Sequence, residues 1–275
     1  MHETIIEPGR SERQYWSDLI RFRELLWILA KRDITVRYKQ TLFGVAWAVV
    51  RPILTVVVFI FAFHKVAKIQ DTSGVNFNVI IFTGVIFWNF FATSFQQVSH
   101  SITGNANLVA KVYFPRLLMP LSAIAVPLID FLVAFVVVIP FLLYNDIQIG
   151  WQLLVVPFFL LISFLLAFGL GLIFASFNVQ YRDFQQIVPL VVQYGFFICP
   201  VAYSTSSLSN FGWFDWYMTL NPMASLLEGF RWALIPGYPH FQWIYILYTS
   251  LFVVFLVILA IYLFRKKENS FVDYI

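Results

Sequence analysis

The chain has 275 residues, 60% of them hydrophobic and 12% charged, whereas soluble domains run at roughly 45–50% apolar and about 25% charged. Of its 32 charged residues, 14 lie in 1–42 and 5 in 265–275, which leaves 13 for residues 43–264. A soluble domain could not cover its surface with so few charges, so a globule in water is excluded and lipid is the solvent for the middle section.

The first stretch, 1–42, is charge-rich. It carries Trp16, Leu19, Ile20 and Leu26 at helical spacing, with Ser17, Arg21, Glu24 and Lys31 on another face. This pattern predicts an amphipathic interface helix. Its tryptophan and basic side chains suit the headgroup layer, where each Lys or Arg contributes on the order of 1 kcal/mol with anionic lipid; packing against a soluble partner is the alternative. So charged a run ahead of the first apolar stretch is unlike a cleaved signal peptide. The chain is expected to insert uncut, with its amino terminus in the cytosol.

Membrane helices need roughly 20 mostly apolar residues, and six stretches qualify: 43–63, 79–95, 117–144, 151–178, 184–203 and 243–264. The expected fold class is an all-α integral membrane protein, with six transmembrane helices in 43–264 and a cytosolic tail, 265–275. Stretches 117–144 and 151–178 exceed what the bilayer needs, so they tilt or run on into water or the interface. A seventh candidate, 216–235, contains Glu228, Arg231 and the Asn221-Pro222 pair. Charge decides against its crossing. With six spans, 15 of the 18 Lys and Arg face the cytosol, in line with the positive-inside rule; with seven, the Arg265-Lys266-Lys267 cluster is expelled. Residues 204–240 are therefore expected outside, as re-entrant or interfacial helices with Trp213, Phe214, Trp216 and Tyr217 as an aromatic belt. The single cysteine, Cys199, has no partner for a disulfide or a thiolate metal site.

A membrane enzyme needs acids, bases or metal ligands that converge. Here His64, His100 and His240 fall at span ends on different sides. Asp130 is the one carboxylate deep in a span, with no evident basic partner at its depth. It fits either a proton-coupling acid or a hydrogen bond to a neighbouring helix. No HExxH motif and no GxxxxGK[ST] phosphate loop occurs; the nearest phrase, 104–111, lacks the second glycine and the terminal Ser or Thr. No catalytic residue, metal or cofactor is expected in this chain, and any ATPase must be a separate one.

Four phrases carry a family resemblance that covers about 25–275. The first is 32–44, from Arg32-Asp33 to Gly44, followed by Trp47 and Pro52; the second is 105–116, ending at Pro120. The third is 178–184, with Cys199-Pro200 at the far end of the following span. The fourth is Leu220-Asn221-Pro222-Met223, then Glu228-Gly229-Phe230-Arg231. In order and spacing the chain resembles the membrane subunit of a type-2 ABC exporter, in the branch of polysaccharide permeases that move lipid-linked O antigen. Arg51 departs from the pattern, since related permeases often carry an uncharged residue before the proline.

The resemblance implies a homodimer whose interface forms the conduit, with two cytosolic ATPase subunits that carry ATP and Mg. The cargo would be a polyprenyl-pyrophosphate-linked glycan, with membrane lipids but no nucleic acid as further partners. It also implies a multi-pass protein of the bacterial cytoplasmic (inner) membrane with both termini cytosolic. Alternatives are a related exporter of teichoic acid, capsule, lipid or drug and, from another class, a membrane-bound transferase acting on a lipid carrier.

By the same resemblance the loop after the second span is the coupling helix, with Asn105, Leu108, Lys111, Tyr113, Phe114 and Arg116 against the ATPase. Its own pattern agrees: Leu108, Val112 and Tyr113 form a short stripe between Asn105 at the start and Pro115 as the stop. An interfacial loop with snorkelling Lys111 and Arg116 fits as well. Tyr181, Arg182 and Asp183 are the implied second contact. Arg37, Lys39 and Arg51 place three cations at the cytosolic mouth, where a guanidinium fork suits bidentate phosphate recognition. Arg51 either meets a lipid pyrophosphate there or snorkels to lipid phosphates. Trp47, Trp88, Phe91, Tyr194 and Phe197 are candidate channel aromatics, because rings offer sugars apolar area with little rotamer entropy; packing is the other use of such rings. Trp213, Trp216, Asn221, Pro222, Glu228 and Arg231 belong to an external gate by resemblance. Glu228 and Arg231, three apart, also suit a pair on one helix face.

Overall fold

Apolar runs and proline positions shape the chain into helices, the only regular elements among the described residues. In this computed structural model those are 12–39, 44, 46–62, 74–181, 183–239, 241–268 and 270–271. Four stretches are long and apolar enough to cross a bilayer: Phe77–His100, Leu118–Tyr144, Trp151–Asn178 and Trp243–Glu268. Two apolar helices are shorter, Ala46–Ala62 and Phe184–Ile198. The chain is thus an all-helical, multi-span membrane protein across its described part.

The helices run in the order α1 (Glu12–Arg21), α2 (Arg23–Lys39), α3 (Ala46–Phe59), α4 (Phe77–His100), α5 (Ala106–Lys111) and α6 (Leu118–Ser122). They continue as α7 (Ala125–Tyr144), α8 (Val156–Asn178), α9 (Phe184–Ile198), α10 (Phe214–Leu220), α11 (Pro222–Leu234) and α12 (Trp243–Glu268). At about 1.5 Å per residue, the 24 residues of α4 reach about 36 Å, more than a hydrocarbon core of roughly 30 Å. α4 is the central pillar, packed by α3, α7, α8, α9 and α11, and α8 in turn carries α12. The α4–α8 contact is close because Gly171 lacks a side chain: a Cβ there would lie 2.6 Å from Val98, and small residues are what let membrane helices approach.

One core gathers Phe87, Phe131, Phe159 and Phe230 with other apolar residues, Phe87 and Phe230 stacking at 4.5 Å. A second core lies where the first and last helices meet, here the terminal end of the bundle. It holds Leu29, Phe114, Leu117, Phe168, Phe264 and Phe271.

Local chemistry moves several expected boundaries. Stretch 117–144 is split into α6 and α7, because Pro127 cannot continue a helix over Ala123 but fits the first turn of a new one. Stretch 184–203 stops as a helix at Ile198, since Cys199 precedes Pro200 and is extended (ψ 149°). The 15 residues of α9 reach only about 22 Å. The last span runs on to Glu268. The single interface helix expected in 1–42 is two helices that break at Phe22. Its apolar face also divides: Leu19 and Leu26 turn into the terminal-end core, whereas Trp16 and Ile20 face outward.

Among the described residues of 204–240, no helix is long and apolar enough to cross a membrane. A 3-10 turn at Thr205–Leu208 leads to α10 and α11. The 13 residues of α11 reach about 20 Å and nest against α4, α8 and α12, with Glu228 and Arg231 buried among them.

Candidate functional site

Polar chemistry concentrates in three places. The first is a cavity of about 580 Å³ between α2, α3, α4 and α7, whose lining includes Arg37, Tyr38, Trp47, Arg51, Asn89 and Asp130. Arg37, near the end of α2, reaches Asp130 of α7 with Nη2 and Oδ2 2.6 Å apart. The Tyr38 hydroxyl donates to the other Asp130 oxygen. Burial, and then that hydrogen bond, raise the Tyr38 pKa above its ordinary value, so the hydroxyl remains a donor. Asp130 therefore has a basic partner, contrary to the expectation from its own span; Arg37 stands 93 positions earlier, outside any span. Arg51 is exposed, its guanidinium carbon 5.7 Å from the Trp47 ring centre.

Arg37 and Arg51 also line an adjoining cavity of about 810 Å³, together with Gln96, Gln97, His100 and Asn105. Lys39, the last residue of α2, is exposed but is not among the residues lining either cavity. The α4 side chains Asn89, Thr93, Gln96, Gln97 and His100 form a polar stripe that faces these spaces. Only His100 among them was weighed from the sequence, as a histidine at a span end, although a polar residue at each turn of an apolar helix is a readable signal.

The second place is the loop from α4 to α6. Asn105 precedes α5 without a side-chain cap; its amide donates to the Ser101 carbonyl at 2.9 Å and accepts from Arg32 of α2 at 2.7 Å. α5 ends at Lys111 because Val112 turns extended, before Pro115 is reached. The expected stripe divides as well: Leu108 packs with Val109 and Phe114 on the terminal-end core, whereas Lys111, Val112 and Tyr113 are exposed. At the loop's close the Arg116 N–H donates to Glu268 Oε1 at 2.9 Å, and its guanidinium to the Glu268 carbonyl.

The Tyr15 hydroxyl donates to that same carboxylate oxygen at 3.2 Å. Arg265 pairs with the other oxygen at 3.6 Å and stacks 3.4 Å over the Tyr15 ring. Burial, and then the Glu268 charge, push the Tyr15 pKa above its ordinary value. Glu268 thereby clasps α1, the loop from α4 to α6, and α12. Its position in a charged tail gave no sign of this. Tyr181 and Asp183 are exposed on the turn from α8 to α9. Arg182 lies outside the described residues, as do His64 and His240.

The third place is the opposite end of the bundle. Arg231 and Glu228 pair at 2.9 Å with 0% and 1% of their surface exposed. Arg231 also donates to the carbonyls of Ile80, Val201 and Tyr203 at 3.0, 2.9 and 3.0 Å. The Tyr238 hydroxyl reaches Glu228 at 3.3 Å. The pair pins α11 and the 201–203 loop to the start of α4. Gly84 makes room for it, because a Cβ there would lie 2.2 Å from the Val201 oxygen and 2.7 Å from the Arg231 guanidinium. Asn221 caps α11 by accepting the Ala224 N–H at 3.1 Å, and Pro222 takes the first helical position. Trp213 and Trp216 are exposed.

The five candidate channel aromatics separate into two groups. Trp88 and Phe91 belong to the core, while Trp47, Tyr194 and Phe197 are exposed, Tyr194 by 60%. Tyr194 and Phe197 share the outward surface of α9 with Gln186 and Gln193. Amides on an outward surface require polar company, which lipid does not supply.

Residues 24–235 match the family described as ABC2_membrane, ABC-2 type transporter. The chain is 30% identical over 252 residues to the O-antigen export system permease protein RfbA of Klebsiella pneumoniae, across 91% of this chain and 94% of that protein. It is 29% identical over 218 residues to the protein of the same name from Myxococcus xanthus, across 78% and 81%. With the polysialic acid transport protein KpsM of Escherichia coli it shares 22% identity over 249 residues, across 87% and 92%.

Proposed function

The chain belongs to the ABC-2 type transporter family as a membrane permease subunit, and from that premise we propose that it exports a polyprenyl-pyrophosphate-linked, O-antigen-like polysaccharide. It does so as a homodimer in the bacterial cytoplasmic membrane, driven by two copies of a separate cytosolic ATPase that binds ATP and Mg. The observation that carries this reading is the pair of adjoining cavities, about 580 and 810 Å³, that share Arg37 and Arg51. Two guanidinium forks suit a pyrophosphate. The amides and hydroxyl of Asn89, Thr93, Gln96 and Gln97 beside them suit sugar hydroxyls better than a drug or a plain lipid. The names of the relatives, O-antigen export and polysialic acid transport, support the same cargo class.

Charge supports the orientation: with six crossings, 15 of the 18 Lys and Arg fall on the side of the termini, which favours the cytosol for both. α3 and α9 are then the first and fifth of six crossings. Lys111, Val112 and Tyr113, with Tyr181 and Asp183, face the ATPase, and α10 and α11 close the external side.

The test is reconstitution with the ATPase in proteoliposomes. Lipid-linked glycan is expected to stimulate ATP hydrolysis, and absence of stimulation overturns the cargo assignment. At matched expression, Arg51→Ala is expected to lower export and Arg51→Lys to retain part of it. Equal flux in wild type and both variants removes Arg51 from the headgroup site.

A further inference from the structure

We propose that Asp130 is a built-in competitor for the cargo headgroup: its carboxylate and the incoming pyrophosphate contend for one Arg37 guanidinium, which keeps capture at the mouth reversible. The proposal rests on reading the Arg37–Arg51 cavity as the headgroup site, and it adds a residue that opposes binding there. Asp130 places a negative charge on the wall of a space with Arg37 and Arg51 on its other walls. A second anion in that space is repelled by the carboxylate and attracted by the guanidinium groups.

The contrast with Arg231 shows what makes exchange feasible. The Arg231–Glu228 side chains are 0% and 2% exposed, and Arg231 is further bound by three carbonyls. The Arg37 and Asp130 side chains keep 33% and 17% of their surface. Arg37 can therefore turn to a new oxygen acceptor without leaving the cavity, while the Tyr38 hydroxyl continues to donate to Asp130. An exporter needs that weakness. A headgroup held by two unopposed guanidinium groups is bound tightly in the ground state, which slows departure and lowers turnover.

The experiment uses the permease–ATPase complex in nanodiscs, with farnesyl pyrophosphate as the probe and farnesol and inorganic pyrophosphate as comparators. Asp130→Asn is expected to tighten farnesyl pyrophosphate binding by about twofold to fivefold, the range left for a partly exposed charge pair, with farnesol unaffected. For glycan-stimulated ATP hydrolysis, the apparent KM and the maximal rate are both expected to fall. Asp130→Ala, which removes the same charge, is expected to shift binding the same way. In an Arg37→Gln background most of the tightening is expected to disappear, leaving only the part due to direct repulsion by the carboxylate.

The proposal is overturned if both Asp130 variants bind the probe as wild type or more weakly, or if the tightening persists undiminished without Arg37. If Arg37→Gln and Arg51→Gln leave probe binding unchanged, the headgroup reading itself fails. Weakening in those two with no effect at Asp130 sinks only the competitor role. Inorganic pyrophosphate binding as well as the farnesyl compound overturns the lipid source of the anion.

Discussion

A guanidinium with none of its surface exposed must be satisfied by its own chain, because a buried unpaired charge is far costlier than the pair it came from. Arg231 meets most of that demand through its two Nη groups, which donate to Glu228 and three carbonyls, while its Nε finds no hydrogen-bond partner among the described residues. Glu228→Ala strips the charge partner and is expected to cost about 3–5 kcal/mol, read as early loss of monodisperse protein on heating in detergent. Glu228→Gln keeps an acceptor in place and is expected to lose less. Gly84→Ala forces a methyl toward the Val201 oxygen and is expected to cost about 1–3 kcal/mol. Wild-type heat resistance in Glu228→Ala and Gly84→Ala would show that this cluster does not hold the bundle together. The Glu228–Arg231 pairing was legible, since spacing of three on a helix sets it. Its carbonyl partners and the need for Gly84 were not, because they come from α4 and the 201–203 loop, which only the tertiary fold brings near. The pairing of Arg37 with Asp130 escaped for the same reason.

At the scale of the element, the loop from α4 to α6 has an anchored side and an exposed one. Leu108, Val109 and Phe114 hold it to the terminal-end core, and Glu268 fastens its exit through the Arg116 backbone. Lys111, Val112 and Tyr113 remain exposed. A charge at Leu108 would disturb the anchor and the docking surface together, so it cannot separate folding from coupling. Val112→Asp can, since Val112 is 51% exposed. It is expected to leave size-exclusion behaviour and heat resistance unchanged while ATPase co-purification falls; undiminished co-purification would place the docking surface elsewhere. Glu268→Gln removes the charge that attracts Arg265 and orders Arg116, so ATP hydrolysis is expected to continue with less transport per ATP. Equal transport per ATP would make the clasp dispensable. The presence of a short helix between the second and third long spans was readable from the sequence. Which of its sides turns inward was not, because apolar residues lie on both.

Across the whole molecule, charge placement and apolar run length sufficed for a multi-span helical bundle, since both are set by the bilayer rather than by packing detail. What surrounds the bundle was not legible, and the outward surfaces of α9 and α12 now separate two environments. On α12 the exposed side chains include Leu247, Leu251, Phe255 and Ile258, a surface that lipid satisfies. On α9 Gln186, Gln193 and Tyr194 are exposed beside Leu190, Val191 and Phe197, and the helix reaches only about 22 Å, short of the hydrocarbon core. A short helix with outward amides is poorly matched to lipid on both counts, but well matched to a water-filled conduit between two copies. In a Cys199→Ser background, Gln193→Cys is therefore expected to react with a membrane-impermeant maleimide in the reconstituted dimer and to cross-link between copies with a bifunctional reagent. Leu251→Cys, about as exposed in the single chain at 61%, is expected to do neither. If both cysteines are equally unreactive, α9 faces lipid and the conduit does not run along it; reaction at Leu251→Cys instead would move the conduit to α12.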